Sequence, residues 1–461
     1  MRAEKVARVR RMSDANNSVF KRVRLSGWGR HVAVDALVSQ SEDFATVAHK
    51  AALSRGLGRA YGDAALPAEL SDRVSCSVAA DRVLSFDAKS GLLRAEAGIS
   101  LEALKRLFLV RGWFVPVTPG TQHVTLGGMV AADVHGKNHH VAGTIGRHVR
   151  SLRIGLVDGV VVDASREQNA ELFRATLGGM GLTGHILEVS LQLEAVPSPW
   201  IWEEQEPHDN LDSLIGALRQ AGADWPFTVA WADLQARGRR FGRGILMKGR
   251  WATAAEAPVA PPRWKSAIDV PFTAPNWLLG TWSIRPFNWT NYWKQRLRAH
   301  TGCIHPDAFF YPLDRLGDWN RLYGRRGFTQ YQCVLPHFDD LERYGVFLER
   351  IRAHGGQVFL CVIKDCGAEA EGLLSFPKPG VSFALDIPIA AQRTQAVVDA
   401  LNEFVLEHDG RVYLAKDAFT RREHFRRMEP RLPEWQRVRD AWDPARKIRS
   451  ALSRRLLDPE S

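Results

Sequence analysis

A chain of 461 residues is about three times the ~150-residue domain prior, which excludes a small stapled scaffold and implies two or three domains or one large interrupted one. Hydrophobic residues make up 45% and charged residues 25%, close to globular averages, so global disorder is excluded too. Lys and Arg number 62 against 51 Asp and Glu, leaving +11 near neutral pH, a balance that favours anionic partners: nucleic acid, phosphorylated small molecules or an acidic membrane surface.

Five scattered cysteines (Cys76, Cys303, Cys333, Cys361, Cys366) include no CxxC pair, so neither a disulfide framework nor a zinc site is indicated and a reducing compartment fits best. The basic N-terminus lacks the apolar core of a signal peptide, and no apolar run reaches the ~18 residues of a membrane span. The expectation is a soluble cytoplasmic protein with affinity for the anionic surface of the inner membrane. Residues 1–25, polar and Arg-rich without periodicity, read as a flexible basic tail.

From Gly27 to Val196 the pattern is compact α/β. Leu93–Ala97 reads as a strand, Ser100 caps a helix Leu101–Arg111 closed by Gly112, and a helix Ala170–Leu177 is closed by Gly178. Leu187, Val189, Leu191 and Leu193 alternate with polar residues, the mark of a half-buried strand. Pro197 and Pro199 then set a domain boundary. A Pro/Ala-rich connector at Thr253–Arg263 leads into a stretch bearing Trp264, Trp277, Trp282, Trp289 and Trp293 among basic residues. Core packing is the simpler account of these tryptophans, and a lid over a ligand with a phosphate head and an apolar tail is the other. Strand, helix, strand, strand, helix and strand follow at Gln330–Pro336, Asp340–His354, Gln357–Ile363, Val381–Ile387, Ala390–His408 and Arg411–Leu414, a split βαβ unit with an antiparallel sheet.

Three glycine-rich segments carry chemistry. Ser54–Ala64 (SRGLGRAYGDA) holds Gly56, Gly58 and Gly62, Pro116–His140 holds Gly120, Gly127, Gly128 and Gly136, and a third runs from Gly178 to Gly184. Any one of them is a turn by itself; together they suggest a dinucleotide held by backbone amides. The GxGxxxG spacing and a helical reading of Asp43–Ala52 reject a Rossmann site. His135, His139 and His140 do not form a metal site, because neighbouring residues on a strand point oppositely and no ligand recurs at i+4 on a helix; no metal is expected.

RGLGRAYGD, the PGT…TLGG…DVHGKNHH stretch, GGMGLTG and the C-terminal VYLAKD together resemble the FAD-binding oxidases of the vanillyl-alcohol-oxidase type, and within them the decaprenylphosphoryl-β-D-ribose 2′-oxidase family. The resemblance runs from about Leu25 to the last helix. It implies an α+β, two-domain fold in which residues 26–196 and 411–461 form the FAD-binding domain and an antiparallel-sheet substrate domain, residues 197–410, is inserted between them. It implies non-covalent FAD, held by Ser54, Arg55, Gly56, Leu57, Gly58, Arg59, Ala60, Tyr61, Gly62, Asp63, Ala64, Gly120, Thr125, Leu126, Gly127, Gly128, His135, Gly136, Lys137, Asn138 and Ile186, with Tyr413 beside the flavin. The sugar-phosphate pocket falls to Tyr61, His135, Lys137, Trp231, Gln332, Lys364 and Lys416. Three departures bear on the shape of that pocket: Ala384 stands where familiar members have Cys, Ser382 where they have Asn, and FFYPLD at Phe309–Asp314 replaces FYHPLD.

Oxidation of a secondary alcohol sends a hydride to the flavin and the hydroxyl proton to a base, which a desolvated lysine can supply. Lys416 and Lys364 are the candidates, with His135 and Tyr61 beside them. The function implied is oxidation of the 2′-hydroxyl of a polyprenyl-phospho-β-D-ribose to the 2-keto sugar, the first half of an epimerisation to the arabinose form. A separate NAD(P)H-dependent keto-reductase would be the partner, and nucleic acid would not. An alditol or sugar-lactone oxidase acting on a small soluble substrate is the rival within enzymes; a basic nucleic-acid-binding protein is the rival outside them.

Overall fold

The basic segment before Gly27 is not all tail. In a computed structural model, which describes residues 20–264 and 267–459, Lys21–Ser26 is a strand paired antiparallel with Ala33–Gln40. Leu25 is buried with Ala36, Leu53, Leu66 and Val74, and that apolar anchor corrects the expected tail boundary at residue 25. The remainder of the expected tail, residues 1–19, lies outside the described residues.

This hairpin opens a four-stranded sheet in the order Lys21–Ser26, Ala33–Gln40, Arg73–Cys76, Leu53–Arg55, whose last three strands run parallel. The helix expected over Asp43–Ala52 is only Phe44–Ala48, and the short strand Leu53–Arg55 leads directly into the first glycine loop. A second sheet has five antiparallel strands, with His185–Gln192 at its centre between Leu92–Glu96 and Val149–Gly155. Its inward residues Leu187, Val189 and Leu191 are those that the alternation marked. Ser100 caps the helix Leu101–Phe108 by accepting from the Ala103 amide at 3.1 Å. Gly112 and Gly178, at φ 79° and 75°, end their segments in the left-handed region that side chains avoid.

After the Pro197–Pro199 break the chain builds an eight-stranded sheet, in the order Thr301–Ile304, Ile201–His208, Gly244–Trp251, Phe227–Ala232, Cys361–Cys366, Gly380–Pro388, Phe328–Leu335 and Arg411–Val412. Every pairing in it is antiparallel. The expected split βαβ unit makes one half of the sheet. The strand read at Gln357–Ile363 begins only at Cys361, after Phe359 and Leu360 have bonded to Asp386 outside the ladder. Strands 201–208, 227–232, 244–251 and 301–304 were not expected. Helices Glu342–Ala353 and Gln392–Glu407 cover one face, and the N-terminal sheets with their loops cover the other. Phe328–Leu335 is therefore buried at all of its positions instead of alternating. Arg411–Val412 still belongs to this sheet, so the return to the N-terminal half starts after Val412.

The C-terminal segment closes the structure. In the helix Leu432–Trp442, Trp435 is fully buried and its indole N–H donates to the Ala175 carbonyl at 3.0 Å. Arg449 pairs with Asp72 at 2.7 Å. Among the described residues no helix is long and apolar enough to cross a membrane. Trp435→Ala is expected to destabilise the fold by about 3–5 kcal/mol, read from urea denaturation; a loss below about 1 kcal/mol would show that the C-terminal segment is only loosely attached.

Candidate active site

Antiparallel register brings the polar side chains of the large sheet together. Trp231 lies opposite Val362, Val362 opposite Ala384, and Ala384 opposite Gln332, so these four form one row across four strands. Lys364 and Ser382 pair two positions along, and Gln330 and Asp386 pair two positions in the other direction. Side chains two apart on a strand share a face. Lys364, Ser382, Ala384, Gln332, Gln330, Asp386 and Trp231 thus all project from the face turned toward the N-terminal half, while Phe383, Leu385 and Ile363 fill the core on the other side.

The segment His135–Asn138 descends on this face. The His135 Nε2 is 2.9 Å from the Gln332 amide nitrogen, which also donates to Ser382 Oγ at 3.2 Å. The His135 ring packs against Tyr413 and Phe376, with centroids 5.1 and 5.3 Å away. Its Nδ1 is buried without a partner among the described residues. Lys137 donates to the Phe309 carbonyl and lies 4.2 Å from that ring's centroid. His139 and His140 diverge: His139 Nδ1 accepts from the Gly367 amide at 3.1 Å, whereas His140 Nε2 is 2.9 Å from the Trp225 carbonyl. Asn138 donates to the Pro116 carbonyl at 2.8 Å and borders a cavity of about 350 Å³ with His148, Phe227 and Trp251.

The C-terminal return supplies the remaining wall. The Tyr413 amide donates to the Gln332 carbonyl at 2.9 Å and its hydroxyl to the Ala132 carbonyl at 3.0 Å. A turn then swings Lys416 over Tyr61, with the ammonium 3.8 Å from the ring centroid. Next to it Arg455 joins Asp63 of the first glycine loop and Asp417 of the return, each at 2.7 Å.

The glycines divide by role. A Cβ on Gly56 would stand 2.2 Å from Thr125 Oγ1, and one on Gly62 would stand 2.0 Å from the Asp417 carbonyl, so these two let the first loop close on its neighbours. A Cβ on Gly127 would come within 2.8 Å of the Ala97 side chain, and one on Gly136 within 2.9 Å of the Thr118 carbonyl. At Gly120 a Cβ would meet nothing within 4 Å, which leaves that loop open toward a ligand. Thr125 caps the short helix Leu126–Ala131 through the Gly128 amide at 3.2 Å. Arg55 is spent on the Ser26 and Ala65 carbonyls, and Ser54 Oγ lies 2.7 Å from His185 Nδ1. Arg59 stacks 3.8 Å from the Trp28 ring centroid and donates to the His123 carbonyl at 3.2 Å, joining the first loop to the second. Leu57 is exposed and Ile186 buried. The third loop packs beneath the site, where its Met180 amide donates to the Ala131 carbonyl at 2.8 Å.

Electrostatically the site is a concentration of positive charge removed from water. Burial lowers Lys137 to about 7, opposed by Glu203 and reinforced by Lys364. Burial also lowers Lys416 to about 7, with Asp386 opposing and Lys364 reinforcing. Lys364 is lowered by burial and no carboxylate offsets the effect. Burial and the adjacent cations hold His135 neutral, well below the usual imidazole range. Asp386, pushed up to about 6 by burial, accepts from Tyr323 at 2.9 Å and Gln330 at 2.5 Å. Asp386, Gln330 and Tyr323 were not expected. The available signal was period-2 polarity in Gly380–Pro388, where Ser382, Ala384 and Asp386 interrupt an otherwise apolar run.

Residues 38–165 match the model of an FAD binding domain. A decaprenylphosphoryl-β-D-ribose oxidase of Mycolicibacterium smegmatis is 34% identical over 94% of this chain and 97% of its own length. The chain belongs to the decaprenylphosphoryl-β-D-ribose oxidase family. An uncharacterized protein of Streptomyces coelicolor is 33% identical over 78% of this chain and its own full length. The L-gulonolactone oxidase of Mus musculus is more distant, 32% identical over 29% of the chain and 31% of its own length. Like the family, this chain is an FAD-dependent oxidoreductase. The residues present fit that cofactor: the open loop at Gly120, the orphaned His135 nitrogen and the three lysines offer donors and positive charge to an anionic, hydrogen-bonding group.

A pH effect follows. Lys364 has a folded pKa below its unfolded one, so the unfolded chain binds more protons and this lysine's penalty on stability fades as pH rises toward its ordinary value. Without cofactor, Lys364→Met is expected to raise the melting temperature at pH 6, with the gain shrinking by pH 10. Thermal scans at the two pH values check this, and a variant no more stable than the parent at pH 6 would contradict it.

Proposed function

We propose that this chain oxidises the 2′-hydroxyl of a polyprenyl-phospho-β-D-ribose to the 2-keto sugar, the first half of an epimerisation to the arabinose form. The carrying observation is the cluster of Lys137, Lys364 and Lys416 around His135, positive charge held out of water with few carboxylates to offset it. A phosphorylated sugar meets that demand, whereas a neutral lactone or alditol leaves the desolvation of the lysines uncompensated. The lactone oxidases among the relatives also match less than a third of the chain, 29% for the Mus musculus protein.

Bound FAD supplies the two-electron acceptor that takes the hydride from the sugar carbon. The chain must then take the hydroxyl proton. Lys416, brought near neutrality by burial, is available in part as a neutral amine at physiological pH, and its seat 3.8 Å over the Tyr61 ring fixes where that nitrogen stands. Lys364 and Lys137 hold the substrate phosphate, His135 and Gln332 hold sugar hydroxyls, and Trp231 backs the sugar at the end of the row. Ser54–Ala64, Gly120, Thr125–Gly128, His135–Asn138 and Ile186 form the FAD cradle, with Tyr413 beside the ring. In this reading residues 26–196 and the C-terminal return form the cofactor domain of a vanillyl-alcohol-oxidase-type fold, and the segment between them is the substrate domain. Apart from the strand Lys21–Ser26, which joins the first portion's sheet from just ahead of residue 26, each sheet stays within one portion, and that supports the division. A separate NAD(P)H-dependent reductase completes the epimerisation.

FAD is bound without a covalent tether, as the resemblance implies: the guanidinium of Arg59 in the first glycine loop cannot bond to a flavin and is engaged with Trp28 and the His123 carbonyl. Acid precipitation is expected to leave all the yellow colour in the supernatant; colour in the pellet would refute this. Lys416→Met is expected to keep full flavin content and to slow anaerobic flavin reduction by polyprenyl-phospho-ribose by ~10²–10⁴-fold. Near-normal reduction would remove the role from Lys416, and reduction of the parent by gulonolactone or ribitol but not by the phospholipid sugar would overturn the substrate assignment.

A further inference from the structure

The helix Thr281–Leu297 reverses the usual arrangement of a surface helix. Its buried positions Ile284, Asn288 and Tyr292 recur every four residues. Asn288 donates to Asp233 at 3.1 Å and Tyr292 to Asp209 at 2.9 Å, so the inward face is fastened largely by polar contacts. The apolar stripe lies elsewhere. Trp282, Pro286, Trp289, Trp293 and Leu297 follow one another at steps of three or four residues, which stacks them along one side of the helix. That side is turned from the protein: Trp282 is 63% exposed, Trp289 54% and Leu297 80%. Just before the helix, Phe272 and Trp277 are exposed as well. A surface helix normally turns such a stripe inward, and a contiguous exposed apolar patch marks a contact surface.

The surrounding charge identifies what is contacted. Arg285, Lys294 and Arg298 are exposed beside the stripe, and Arg237, Arg239 and Arg240 are exposed on a nearby turn. That turn is tied to the helix through Asp233, which accepts from Asn288 and pairs with Arg243 at 2.9 Å. None of the six exposed cations has a carboxylate partner among the described residues. A second copy docked stripe to stripe would set these cations against their own equivalents. An anionic lipid surface takes both features at once.

The geometry points to an interfacial membrane anchor, a helix lying in the plane of an anionic bilayer with its tryptophan stripe at the headgroup boundary and its arginines and lysine against the phosphates. On its inner side Tyr292 packs with Trp231 and Ile245, and Trp293, half-buried at the edge of the stripe, leans on the same cluster, so the anchor rests on the strand that carries one wall of the candidate site. This last point rests on the proposed lipid-linked substrate: the polyprenyl chain stays in the bilayer while its sugar reaches the pocket.

The test is co-sedimentation of the FAD-loaded protein with phosphatidylglycerol-containing vesicles and with pure phosphatidylcholine vesicles at ~0.1 M salt, where the Debye length is ~10 Å. Binding to the anionic vesicles is expected, with much weaker binding to the neutral ones. The double variant Trp282→Ser/Trp289→Ser is expected to lose at least ~10-fold in vesicle affinity. Its flavin content, and its turnover of a short-chain, water-soluble prenyl-phospho-ribose, should match the parent. Equal vesicle binding by parent and variant, or none by either, would overturn the anchor, as would a concentration-dependent dimer that the double substitution dissolves. Vesicle binding by the parent with no turnover of any prenyl-phospho-ribose would instead overturn the substrate reading and leave the anchor standing.

Discussion

Everything in this fold is arranged around the cost of holding Lys137, Lys364 and Lys416 close together and away from water. Burial lowers the proton affinity of all three, Lys364 adds to the effect at Lys137 and Lys416, and Glu203, Asp386 and Cys366 push back at Lys137, Lys416 and Lys364 respectively. Such a cluster persists only if the surrounding scaffold is rigid enough to prevent the lysines from swinging out to solvent. The eight-stranded sheet supplies that rigidity by being covered on both faces, by helices on one and by the cofactor-side sheets on the other.

The neutral state of His135 follows from the same cluster. Burial first, and the neighbouring Lys364 and Lys416 after it, keep the imidazole unprotonated, so it can share a hydrogen bond with Gln332 while its Nδ1 has no partner among the described residues. Asp386 acts at one remove. Fixed by Tyr323 and Gln330, it steadies the charge of Lys416 without occupying the pocket itself.

How much of this the sequence disclosed depended on the kind of signal. The glycine loops, His135, Lys416 and Tyr413 lie in the motifs that carry the family resemblance, Gln332 and Lys364 were assigned only through it, and the structure places these side chains around one face of the large sheet. The helix at Leu101 and the central strand ending at Gln192 were legible from capping and alternation. Asp386 and Gln330 were not, although Ser382 and Asp386 fall on alternate positions of an otherwise apolar strand, because in a strand buried at nearly every position that faint alternation does not say which face meets a ligand. Ile201–His208 was missed because IWEEQEPH hides its alternation beneath paired glutamates. The glycines of the first loop were read as making room for a ligand, yet Gly56 and Gly62 make room for Thr125 and Asp417. Spacing alone cannot distinguish those two uses.

Arg455 draws a consequence from the order of the chain. Its guanidinium holds Asp63 near one end of the sequence to Asp417 near the other, and Lys416 is neighbour to that clamp. The first cradle loop and the proposed base are thus held in register both by this clamp, across 392 positions of sequence, and by the Tyr61 amide donating to the Ala415 carbonyl at 2.9 Å. Geometry at the centre is therefore a property of contacts remote in sequence, and local segments taken by themselves lack it.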